Sequence, residues 1–72
     1  MTKFKFLGFA SEISGVREKK IKLTKPKSLK EIFKVKFSED RFILLINQKP
    51  ANFNDLIENE DEVLVMPVVS GG

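Results

Sequence analysis

The residues with chemical potential gather near the C-terminal end of the sequence. Glu58, Glu60, Asp61 and Glu62 form a run of carboxylates, and Ser70-Gly71-Gly72 closes the chain. The carboxylates share one polar turn and lack the alternating ligand spacing and turn glycine of a calcium loop, so they read as solvated charge. The glycines carry more. A terminal glycine has no Cβ beside its carboxylate, so a tail ending in Gly71-Gly72 threads a channel too narrow for any other residue. A carboxylate resists substitution until one oxygen becomes a leaving group. ATP supplies that by forming an acyl-adenylate. A sulfur donor then displaces AMP to leave a thiocarboxylate, or an amine displaces it to leave an amide.

Nothing else in the chain runs such reactions. Among its 72 residues there is no cysteine and no histidine. Disulfides, thiolate nucleophiles, Cys/His zinc sites and imidazole acid–base chemistry are excluded, and no Gly-rich phosphate loop is present. The tail is then a substrate, and the globular body is its handle. From Met66 to Gly72, at about 3.3 Å per residue, an extended tail reaches roughly 20 Å from the body. Ordering it costs about 1–2 kcal/mol per residue, which backbone hydrogen bonds to a partner groove must offset.

The body that carries this tail is a single domain, residues 1–72, with a flexible tail expected from about residue 67. A chain this short buries only about 60% of its unfolded surface and has no room for a doubly wound nucleotide domain or a TIM barrel. No apolar run approaches the ~18 residues of a membrane span, and no signal-peptide core opens the sequence. The expectation is a soluble cytoplasmic protein that contacts no membrane. Thirteen Lys and Arg against ten Asp and Glu give a net charge of +3. Lys3, Lys5, Lys20 and Lys22 alternate with Phe4, Phe6, Ile21 and Leu23, the pattern of a strand's solvent face. With only Arg17 and Arg41 for arginine, nucleic-acid binding is not the favoured use of that charge.

Residues 3–10 alternate and read as a strand, with Gly8 marking a bulge or a close backbone approach. Residues 11–15 carry turn chemistry, and residues 19–24 form a second strand, antiparallel to the first across a short gap. Pro26 takes the chain out of the sheet. Ser28 and Glu31 make a capping box. Leu29, Ile32, Phe33 and Phe37 give a helix of about nine residues its apolar stripe, too short to stand without packing on the sheet. Residues 41–47 are an apolar run fit for a central strand or its neighbour. Asn47-Gln48-Lys49-Pro50 turns the chain, and residues 62–69 form the last strand, with Pro67 limiting its pairing on one edge. The crossover demands at least one parallel pair. The fold class is α+β: a mixed four- to five-stranded sheet on one main helix, the ubiquitin-like β-grasp. The expected core is Phe4, Phe6, Ile21, Leu23, Leu29, Ile32, Phe33, Ile43, Leu45, Val63 and Val65.

The stretch from Ile46 onward holds Asn47-Gln48, Asp61-Glu62-Val63 and Met66-Pro67-Val68-Val69-Ser70-Gly71-Gly72. Together with Phe6, Glu12 and Gly15 it resembles the MoaD family, the small subunit of molybdopterin synthase, a relative of ThiS. Three positions depart from that pattern. Glu60 stands where the family has a turn glycine, with Asn59 beside it as a candidate for the left-handed conformation. Val68 replaces a proline, and Ser11 an arginine.

The resemblance implies a sulfur carrier, not an enzyme on its own. It binds no cofactor; ATP is used by a MoeB-like adenylyltransferase, and a sulfur donor system completes the thiocarboxylate on Gly72. Gly71 gives clearance, and Ser70, Val69 and Val68 contact the channel of a MoaE-like large subunit. Met66, Leu7 and Pro50 would form the apolar docking patch, although Met66 and Leu7 also fit ordinary core or scattered surface positions. Two other readings stay open. One is a ThiS-like sulfur carrier for thiazole synthesis or a ubiquitin-like protein modifier. The other is a basic β-grasp binding module with incidental terminal glycines.

Overall fold

The computed structural model describes residues 1–68; Val69, Ser70, Gly71 and Gly72 lie outside the described residues. The elements run β1 (Thr2–Phe6), α1 (Phe9–Ser14), β2 (Glu18–Ile21), α2 (Leu29–Phe33), β3 (Phe42–Ile46), β4 (Lys49–Ala51) and β5 (Glu62–Pro67). The strands form one sheet in the order β2-β1-β5-β3-β4. β1 and β5 are parallel, and the other neighbours are antiparallel. The last strand therefore lies at the centre, between the two hairpin-like halves.

Period-two alternation sorts the sheet's faces. Thr2, Phe4, Phe6, Phe42, Leu44, Val63 and Val65 are buried on the inner face, with Leu23, Leu29, Phe37, Ile57 and Ala10 closing over them. Phenylalanine rings knit this layer. Phe33 meets Phe4 and Phe6 edge-on at 4.9 and 5.0 Å. Phe37 stacks on Phe6 and Phe53 and meets Phe42 edge-on. Such pairs contribute about 0.5–1.5 kcal/mol each beyond burial, so Phe37 ties β1, β3 and the segment after β4 together.

The structure alters several sequence expectations. β1 ends at Phe6, and residues 9–14 form a helix in place of the end of a strand and a turn. Gly8 opens that helix at φ 53°, and Gly15 closes it at φ 86° with its N–H donated to the Ser11 carbonyl. α2 is five residues, not nine, because Lys34 turns left-handed at φ 60°. Phe37 still reaches the core, from irregular chain. In β3 the buried residues are Phe42 and Leu44, while Ile43 is 38% exposed and Leu45 half-buried. Every position of that run is apolar, so its sequence carries no phase. The turn after β3 is a hairpin into β4: Asn47 and Gln48 sit at φ 53° and 70°, the signature of a two-residue I′ turn. The left-handed residue of the acidic turn is Glu60 itself, at φ 79°, not Asn59. Asn59 instead uses its Oδ1 to accept the Leu23 N–H at 3.1 Å.

The capping box on α2 is complete. Ser28 Oγ accepts the Glu31 N–H, and the Glu31 carboxylate accepts the Ser28 N–H at 3.2 Å. These Ser28 hydrogen bonds, backbone first, hold the exposed Glu31 carboxyl below its ordinary pKa, with Lys27 and Lys25 adding in the same direction. A depressed folded pKa gives stability that is present above the ordinary carboxylate range and lost as pH falls through the folded value. Thermal unfolding followed against pH should therefore show Glu31→Gln losing less stability than the wild type on acidification; parallel curves would mean the cap does not discriminate charge. A second prediction concerns the hairpin. Gln48→Gly should stabilise the domain by about 0.5–1 kcal/mol, since the left-handed penalty of a non-glycine residue exceeds glycine's entropic cost. A lowered melting temperature would contradict it.

Candidate functional site

The strand that leads to the glycines is the best-anchored element of the sheet. β5 is paired on both edges, with Val63, Leu64 and Val65 against Phe4, Lys5 and Phe6 on one side. On the other side Leu64, Met66 and Pro67 lie against Leu45, Ile43 and Phe42. The tail was expected to start at about residue 67. Pro67 still belongs to β5, and the Val68 N–H donates to the Arg41 carbonyl at 2.7 Å. Proline lacks a donor, and by alternation its nitrogen faces the edge where β1 has already ended. There its ring meets the backbone of Gly8: a Cβ at Gly8 would lie 3.1 Å from Pro67 Cγ. Gly8 is thus the close approach the sequence hinted at. Val68, one of the positions assigned to the channel, is 40% exposed and is the last described residue; Val69, Ser70, Gly71 and Gly72, assigned to thread the channel and carry sulfur, lie outside the described residues.

The outer face of the sheet carries no helix. Across it runs a row set by register: Glu18, Lys5, Leu64, Leu45 and Pro50. Beside it lie Ile43 and Met66, paired across β3 and β5. Leu7 adjoins them, its N–H donated to the Val65 carbonyl at 2.9 Å. The three expected docking residues, Met66, Leu7 and Pro50, therefore share one face. Leu45 and Ile43 bridge Pro50 to the other two. Sequence reasoning missed Ile43, Leu45 and Leu64 as surface residues because uninterrupted apolar strands conceal which side is uncovered. The signal available was the strict alternation of β1, which sets the parity of its neighbours.

The acidic turn builds the base of this platform. Asp61 accepts the Glu58 N–H at 2.8 Å and the Asn47 side-chain amide at 2.9 Å. Asn47 Oδ1 in turn accepts the Glu62 N–H at 2.9 Å. Asp61 and Asn47 thus bolt the β3–β4 hairpin to the start of β5. Glu60 accepts the Met1 ammonium at 2.7 Å, and that contact lowers its pKa. Among the described residues no three acidic side chains converge as metal ligands.

The sequence model of the ThiS family matches residues 4–72. The chain belongs to the ThiS family. Its members and their MoaD-like relatives are ubiquitin-fold sulfur carriers, generally without catalytic activity of their own. The structure of SAMP1 from Haloferax volcanii superposes with a TM-score of 0.68 at 18% identity, covering 99% of this chain and 98% of that one. A protein from Pyrococcus furiosus described as molybdopterin converting factor, subunit 1, gives a TM-score of 0.66 at 20% identity, covering 94% of this chain and 97% of that one. Both share the β-grasp fold. No curated protein matches the sequence. In this ThiS-family chain the described helices include none long and apolar enough to cross a membrane.

The contact between Gly8 and Pro67 is testable. Gly8→Ala places a Cβ at φ 53° and against a proline held in the sheet, which should cost about 1–3 kcal/mol and shift the amide resonances of Met66 and Val68. An unchanged melting temperature would show that the start of α1 relaxes without cost.

Proposed function

We propose that this ThiS-family chain is a sulfur carrier whose Gly72 carboxylate is adenylated and converted to a thiocarboxylate. Its acceptor is the pterin precursor of the molybdenum cofactor, and its role is that of the small, non-catalytic subunit of a molybdopterin synthase. The observation that carries the reading is the Met66-Pro67-Val68-Val69-Ser70-Gly71-Gly72 segment emerging from the central strand of a β-grasp sheet. A doubly paired strand is a firm base for a tail that must be pushed into another protein's active site. An activating enzyme of the MoeB type spends ATP on the carboxylate, and a sulfur donor displaces AMP. A MoaE-like subunit then takes the tail, with Gly71, Ser70, Val69 and Val68 in its channel and Met66, Leu7 and Pro50 at the docking face. This chain binds no cofactor in that scheme.

A second reading is supported by the family match itself: the same activated tail feeding thiazole synthesis. The two readings share the carrier chemistry and differ in the acceptor.

The deciding measurement is intact mass after incubation with ATP, a sulfur donor and the adenylating enzyme of the same organism. Replacement of one oxygen by sulfur, mapped to Gly72, is expected. A chain lacking Gly72 should show no gain while unfolding as cooperatively as the wild type. No gain in the wild type, with an enzyme shown to adenylate another carrier, would end the proposal. Release of that sulfur to a large molybdopterin synthase subunit and its pterin, rather than to a thiazole synthase, separates the first reading from the second.

A further inference from the structure

The root of the tail is tied on one side of the sheet only. Along β1 the pairing of β5 is finished early: the Leu7 N–H donates to the Val65 carbonyl, and the chain then turns at Gly8 into α1. Along β3 the ladder runs on. Phe42 faces Pro67, and one step further the Val68 N–H donates to the Arg41 carbonyl at 2.7 Å. A regular antiparallel pair would return a second bond from Arg41 to Val68. Here the Arg41 N–H is spent on the Ser38 carbonyl at 3.1 Å, and the Phe42 N–H goes to the same carbonyl at 3.0 Å. The turn that starts at Ser38 therefore braces the acceptor and leaves the pair half made. On the opposite side the Pro67 ring closes against Gly8. Arg41 and Val68 are both exposed, so water competes for the bond between them.

We propose that Arg41 is a positioning residue for the tail and acts through its backbone carbonyl. By holding Val68 in line with β5 it fixes the point and the direction from which a partner takes up the residues that follow. A residue fixed in advance is one whose conformational freedom the partner does not have to remove. The role assigned to the bond rests on the sulfur-carrier reading above. The bond itself does not, because it belongs to the body of the domain. A single solvated backbone hydrogen bond shifts an equilibrium by only about two- to tenfold. Its loss should raise KM for the carrier by that factor and leave kcat alone, the mark of binding energy felt equally in the ground and transition states. A latch that had to break before Val68 entered a channel would give the opposite sign, since its removal would lower KM.

The test uses full-length synthetic chains and the adenylating enzyme of the same organism. The Gly72 carboxylate displaces pyrophosphate from ATP, and the rate of its release against carrier concentration gives KM and kcat. In one chain the amide joining Pro67 to Val68 becomes an ester, which keeps both side chains and removes the Val68 donor. In another the amide joining Arg41 to Phe42 becomes an ester, which weakens the Arg41 carbonyl as an acceptor and leaves Val68 untouched. With cooperative melting retained, both should show KM raised about two- to tenfold at unchanged kcat. Hydrogen exchange in the unmodified chain, with no enzyme present, should show the Val68 amide slowed by a similar factor against an unstructured peptide. A Val68 amide that exchanges at the peptide rate overturns the proposal at its root. So does a KM that falls, or a loss confined to kcat. A rise confined to the Val68 ester means that the enzyme itself binds that N–H, and it removes the role of Arg41. A protected Val68 with normal KM in both esters ends the positioning role and leaves the carrier reading standing. No pyrophosphate release from the unmodified chain, with an enzyme shown to adenylate another carrier, ends the carrier reading and the role built on it.

Discussion

The parallel pairing of β1 with β5 is the contact on which the rest of this structure depends. It places the last strand between the first and the third, so the two antiparallel pairs β2-β1 and β3-β4 become one sheet only through it. Without it Phe4 and Phe6 would lose their neighbours Val63 and Val65, and the inner face would have no centre. The polar framework serves the same pairing. Lys3 N–H bonds to the Asp61 carbonyl, the buried Thr2 hydroxyl reaches the Glu58 carbonyl, and Asp61 binds Asn47. Each of these fastens the entrance of β5 to one of its two partners. The acidic run is therefore architectural, and the glycines beyond β5 inherit a fixed starting point.

A chain of this size has enough apolar bulk to cover one face of five strands, not two. Its phenylalanines are spent on the inner face; Phe9 alone among the seven stays largely in water. The outer face is left with shorter aliphatic side chains and lysines. Stability and function draw on opposite sides of the same sheet, so substitutions on one side leave the other largely intact.

Much of this was legible in the residues. The capping box named the start of α2, the alternation of β1 gave its faces, and the closing glycines named the chemistry. What was hidden had a physical cause in each case. α1 is six residues, too short for a periodic stripe to outweigh the alternating run before it, and only the glycines at both its ends mark it. The β3–β4 turn uses Gln48 where glycine is the usual signal, so the sequence shows a turn there without marking the two-residue hairpin. The parity of β3 was invisible because five consecutive apolar residues fit either phase. That one ambiguity moved Ile43 and Leu45 from the outer face to the expected core.

The position of β5 also orders events during synthesis. The strands that flank it are made first, and the two pairs they belong to share no edge until β5 lies between them. Pairing β5 with β1 joins residues at opposite ends of the chain, a long-range contact with a high loop-closure cost. A partly synthesised or misfolded chain therefore lacks the complete outer face. Recognition of that face is therefore a test of completeness: only a chain whose last strand has found its place between β1 and β3 presents it whole.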